Sequence, residues 1–139
     1  MTVSVEQRER GERLRAIADA LKGKPVEWGV DDCSTLPAQW VAEVAGREFD
    51  WPFYDTEEEA ARIIAEAGGL VEVWKPITRK LGLVERHDTP EIGDIGIIDT
   101  SLGHVGGIWL HGQTFIWRAE EGVRILGVRS HRIVKSWQV

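Results

Sequence analysis

VEWGVDDCSTLPAQWVAEVAG, residues 26–46, passes within a few residues from a turn-rich segment into a helix. Leu36, Trp40, Val41 and Val44 recur at helical spacing, and Gly46 offers a stop. Asp31, Asp32, Ser34 and Thr35 are all capable N-cap residues, so the helix is expected to begin close to Cys33, the only cysteine. Pro37 constrains that start. With Asp32 as the cap, Pro37 is the fifth helical residue and its missing N–H costs a bond to the Cys33 carbonyl. Either the first turn is irregular or the regular helix begins at Leu36. A Cys33 thiolate would be aided by the free N–H groups of the helix start and opposed by the neighbouring aspartates. The competing reading is a small buried apolar side chain.

Upstream, residues 5–22 have the stripe of an amphipathic helix, Leu14, Ile17, Ala18 and Leu21, with Ser4 and Gln7 at capping-box spacing and Gly23 and Pro25 after its end. Downstream, residues 47–55 (REFDWPFYD) suggest a loop with aromatic anchors. Thr56 and Glu59 then open a third helix with Ala60, Ile63, Ile64 and Ala67 on its apolar side. Residues 70–81 fit a short fourth helix that Pro76 would bend or shorten.

From Pro90 the texture changes to short β-rich runs separated by glycine and polar turns. IGIID, HVGGIWL, TFIWRA and GVRILGV each fit a strand, LHGQT a hairpin connection, and RIVKSWQV a last strand. Helices first and strands afterwards predict one α+β domain over 1–139, its helices on one side of an antiparallel sheet. His104 opens the second of these strands, from where its ring could face the end of the Cys33 helix, a sensible way to assemble a Cys–His pair. His87, His111 and His131 lie in polar loops or turns. Gly103, Gly106 and Gly107 flank or follow His104 and serve either tight packing or the close approach of a substrate backbone.

Composition narrows the partners. Asp plus Glu outnumber Lys plus Arg by 23 to 17, which argues against a general nucleic-acid binder. One cysteine makes no intramolecular disulfide. No Cys/His ligand spacing points to a metal and no glycine pattern to a phosphate loop, so no cofactor is expected. The charged N-terminus lacks an apolar h-region, and no stretch reaches the length of a membrane span. A soluble protein made in the cytoplasm is the expectation.

Taken together, WGVDDCSTLPAQW, IGDIGIID and GHVGGIWLHGQTFIW resemble the bacterial and phage NlpC/P60 superfamily of papain-like cysteine hydrolases, closest to a short phage-associated branch of unknown function. The resemblance spans nearly the whole chain. It implies a nucleophile-bearing helix packed on an antiparallel sheet that carries the histidine, with Cys33 as nucleophile, His104 as general base and Asp94 in a structural turn. The family pattern places a third polar residue on the strand after the histidine. Here the nearest equivalent is Trp117, which cannot orient an imidazole as an acceptor would; His111 substitutes only if the hairpin turn folds inward. Thr35 stands where the family usually has glycine. Trp28 takes the place of an aromatic before the nucleophile, where it walls the cleft or simply packs. Two functions follow from the resemblance: a Cys33–His104 amidohydrolase or peptidase acting on bacterial cell-wall peptides, or a noncatalytic phage tail or tail-assembly protein that keeps the fold. The partners implied are a cell-wall peptide or phage tail proteins, the latter with incorporation into a phage or prophage particle.

Overall fold

A computed structural model describes residues 4–48 and 51–139. Phe49 and Asp50, within the loop expected over 47–55, lie outside the described residues. Four helices precede five strands: α1 (Val5–Leu21), α2 (Thr35–Ala45), α3 (Glu57–Ala67), α4 (Leu70–Lys80), β1 (Ile95–Thr100), β2 (Gly103–Trp109), β3 (Thr114–Arg118), β4 (Val123–Gly127) and β5 (Ile133–Trp137).

Local sequence explains most of these boundaries. Ser4 Oγ accepts from the Gln7 N–H while Gln7 Oε1 accepts from the Ser4 N–H, a complete capping box at the start of α1. Thr56 Oγ1 accepts from the Glu59 N–H and starts α3 beside three glutamates that complement its N-terminal charge. Gly46 and Gly68 end α2 and α3 in left-handed conformations that cost a glycine little. Pro76 neither ends nor shortens α4, which continues to Lys80.

The sheet is antiparallel, with strand order β4-β3-β2-β1-β5. The last strand therefore returns across the sheet to pair with β1. Strand alternation sorts side chains between two faces. Ile95, Ile97, Ile108 and Ile116 face the helices and join Leu14, Leu36, Trp40, Val41 and Trp74 in the main core. Ile98, Trp109 and Phe115 point to the other face and form a smaller core with Val128. Trp40 and Trp109 are wholly buried, and the burial of one such side chain contributes roughly 1.5–3 kcal/mol. Trp40 Nε1 donates to the Gly93 carbonyl, so α2, which follows Cys33, is pinned to the entrance of β1. Asp94, at that entrance, accepts from Arg86 Nε at 2.5 Å and from the Glu91 N–H at 2.9 Å, a turn-holding role. Among the described residues no helix is long and apolar enough to cross a membrane.

Candidate active site

Cys33 lies in the last turn before α2, on a segment held by the carboxylate of Asp32. Asp32 Oδ1 accepts from the N–H groups of Ser34 and Thr35, at 2.9 and 3.0 Å, and so satisfies two donors at the helix start. Its Oδ2 accepts from the Gly29 N–H at 2.8 Å and the Tyr54 hydroxyl at 2.7 Å. The Asp32 N–H in turn donates to Thr35 Oγ1. Asp32 is thus the side chain that caps the helix, although regular α-helix begins at Thr35. Tyr54 anchors the α2–α3 loop to it, and burial first, then this hydrogen bond, push the phenol well above its ordinary range.

Asp31 faces the other way. Its carboxylate accepts from the Glu27 N–H and pairs with Arg118 Nε at 3.3 Å. The fully buried Arg118 guanidinium also donates to the carbonyls of Gly122, Lys24 and Pro25. One arginine on β3 therefore fixes the strand end and the chain that leads into the cysteine turn.

Gly106 of β2 lies beneath that turn. A Cβ there would fall 2.3 Å from Trp74 Cζ2 and 2.8 Å from the Cys33 carbonyl oxygen, so the glycine is required by close packing of α2 and α4 on the strand. Gly107 is equally confined, by the Ile116 carbonyl at 2.3 Å, whereas Gly103 has open space and serves a turn at a φ of +105°.

The environment of the sulfur is dense. Burial raises the Cys33 thiol and the Asp32 carboxylate raises it further; the N–H groups of Gly106 and Cys33 itself and the Ser34 hydroxyl pull the other way without offsetting them. At neutral pH the resting group is the thiol. Beside it a cleft of about 340 Å³, open mouth included, is walled by Trp28, Trp51, Pro52 and Tyr54 and backed by α3 and α4 through Ile63 and Val73.

His104 stands directly opposite Asp99 across the β1–β2 pair, its Nε2 3.9 Å from Asp99 Oδ1. Alternation puts both on the helix-facing side of the sheet, the side of Gly106, at an exposed end of the strands. The two remaining third-residue candidates are elsewhere. Trp117 packs against Phe115 on the far face, with ring centroids 6.2 Å apart. His111 is exposed in the 3₁₀ turn beyond the opposite end of β2. Trp28 does line the cleft at Cys33. Asp99 was legible in the sequence only as one end of an apolar strand; the hairpin register that sets it against His104 was not.

A family model described as "Domain of unknown function (DUF6950)" matches residues 7–139. Among solved structures, the chain is similar to the "Crystal structure of NlpC/p60 domain of peptidoglycan hydrolase SagA", with 19% identity, a TM-score of 0.50, and coverage of 93% of this chain and 98% of that chain. At this identity the likeness is one of fold: N-terminal helices followed by a C-terminal antiparallel sheet. No curated protein matches the chain.

Proposed function

The chain belongs to the family described as Domain of unknown function (DUF6950), and we propose that it is a cysteine amidohydrolase or peptidase that uses Cys33 and His104. The observation that carries this reading is the relation of both residues to Gly106. Gly106 packs against the Cys33 backbone and its N–H favours the thiolate, and His104 lies two positions along the same face of β2. Two residues of strand span about 6.6 Å, within the sweep of an imidazole side chain.

His104 takes the thiol proton as an amide carbonyl enters the cleft, because the resting thiol is neutral. The thiolate attacks the carbonyl carbon, and the oxyanion is met by the Cys33 backbone N–H. The C–N bond breaks as His104 returns the proton to the leaving amine. Water, deprotonated by His104, then hydrolyses the thioester and restores the thiol. A cell-wall peptide is the substrate class suggested by the peptidoglycan hydrolase of like fold. The aromatic and aliphatic walls of the cleft favour an apolar group next to the cleaved bond.

The test is release of amines from purified cell-wall peptides by the wild type and by Cys33→Ala. Release that disappears in the variant supports the proposal; equal release by both contradicts it. A second reading, a noncatalytic phage tail or tail-assembly component, draws support from a specific feature: the polar groups acting on the sulfur are those of Asp32, Gly106, Cys33 and Ser34, while His104 faces Asp99. No release by the wild type would favour that reading.

A further inference from the structure

We propose that Asp99, supplied by the strand before the histidine, is the positioning residue for His104. This inference rests on the hydrolase reading and names the third member of that site. A general base needs one nitrogen with its lone pair free and the other tied down, and the tie sets both tautomer and ring orientation. Asp99 and His104 are direct partners in the β1–β2 register, so their side chains leave the sheet on the same face, and Nε2 lies 3.9 Å from Asp99 Oδ1. Catalytic hydrogen bonds are often long before substrate binds, and a small rotation of either side chain closes this one. The other oxygen, Oδ2, pairs with Arg132 Nη1 at 3.8 Å.

The next strand offers no substitute. On this face β3 presents Thr114, Ile116 and Arg118; the register places Thr114 toward the end of β2 away from His104, and the guanidinium of Arg118 is a donor already committed to Asp31 and to backbone carbonyls. Trp117 is on the opposite face, and His111 is beyond the far end of β2. With Nε2–H turned to Asp99, the Nδ1 lone pair is left to take the Cys33 proton.

The experiment is ¹⁵N imidazole NMR of the full chain at a pH where His104 is neutral, with the signal assigned by His104→Gln. The expected wild-type pattern is a single tautomer with an unprotonated Nδ1. Asp99→Ala should shift it toward the mixed pattern of a free imidazole. Asp99→Asn, which keeps an acceptor, and Arg132→Ala, which breaks only the other ion pair, should retain it. Identical patterns in wild type and Asp99→Ala would overturn the inference. In the amine-release assay, Asp99→Ala should lower kcat at least tenfold with KM little changed, and Asp99→Asn should recover part of it; an unchanged kcat would also overturn the inference. If Cys33→Ala abolishes release while Asp99→Ala leaves kcat and tautomer alone, the hydrolase stands and the positioning role fails. If the wild type releases nothing, the hydrolase fails, and the tautomer still decides whether Asp99 orients the ring.

Discussion

The carbonyl oxygen of Cys33 occupies the space in which a side chain on Gly106 would begin, 2.8 Å from the position of the missing Cβ. Pro37, four residues on, has no N–H to draw that carbonyl into the helix. The two departures from an ideal element meet here: a helix lacking one bond and a strand lacking one side chain.

Gly106→Ala should therefore be costly. Its methyl group would meet a buried indole and a backbone oxygen, neither of which is a flexible side-chain end. The expected loss is about 1–3 kcal/mol in urea denaturation, the range for overpacking. Gly103→Ala meets no neighbouring atom but is strained by its positive φ, so it should cost only about 1 kcal/mol and leave the cysteine turn unmoved. Equal effects of Gly106→Ala and Gly103→Ala on Cys33 reactivity would contradict the packing described.

Asp32 acts twice, as cap and as a charge beside the thiol. Asp32→Ala removes the acceptor of four hydrogen bonds. A loss of about 2–4 kcal/mol is expected from the cap and the charged hydrogen bonds together. Tyr54→Phe removes one of these bonds and should cost about 1 kcal/mol. A chemical-denaturation series that ranks Tyr54→Phe above Asp32→Ala would contradict the assignment.

Acid stability should depend on Arg118. Burial opposes ionisation of Asp31, but the Glu27 N–H, Arg118 and Lys24 outweigh it and hold the carboxyl below its ordinary value. A depressed folded-state value contributes stability that is present above the unfolded-state value and lost as pH falls through the folded one. The loss falls in the acid range, below the ordinary carboxylate value of about 3.9. Arg118→Ala should cost about 3–5 kcal/mol at neutral pH, because it leaves a buried carboxylate unpaired. It should also flatten the acid-side slope of stability against pH; an unchanged slope would contradict this.

Cys33 should behave as a shielded thiol until substrate engages it. Its folded-state value is raised, by burial first and Asp32 next. Iodoacetamide modification should therefore be slow at pH 7 and climb through a range above that of the denatured chain. By the same linkage, the stability associated with this group is present below the unfolded thiol value and lost as pH rises through the folded one. Modification already at its plateau near pH 7 would show an activated resting pair instead.

Where local chemistry decided the structure, the sequence was readable. The Ser4–Gln7 box, the Thr56 cap, the glycine stops and the β-rich runs after Pro90 each match an observed element or boundary. The structural turn at Asp94 was implied by the family resemblance, and Asp94 there accepts from the Glu91 N–H and Arg86 Nε. The glycines at 106 and 107 were open between packing and substrate approach until the neighbours from α2, α4 and β3 were in place. The short helix expected over 70–81 is α4, with Pro76 inside it and Val73 and Trp74 on its buried side. The site required register. Nothing in the spacing of Asp99 and His104 distinguishes a facing pair from two ends of a loop, and one residue of slip would have reversed their faces. The same parity separates Trp117 from its neighbour Arg118, one facing away from the cysteine and the other braced against its turn.

The central claim, nucleophilic attack by Cys33 with His104 as base, is tested most directly by quenching a reaction with a cell-wall peptide and weighing the intact chain. The expected result is a transient mass gain equal to the acyl half of the substrate, located on the peptide containing Cys33, and formed at least a hundredfold more slowly by His104→Ala. Amide cleavage with no adduct on Cys33, or no adduct and no cleavage by the wild type, would contradict it.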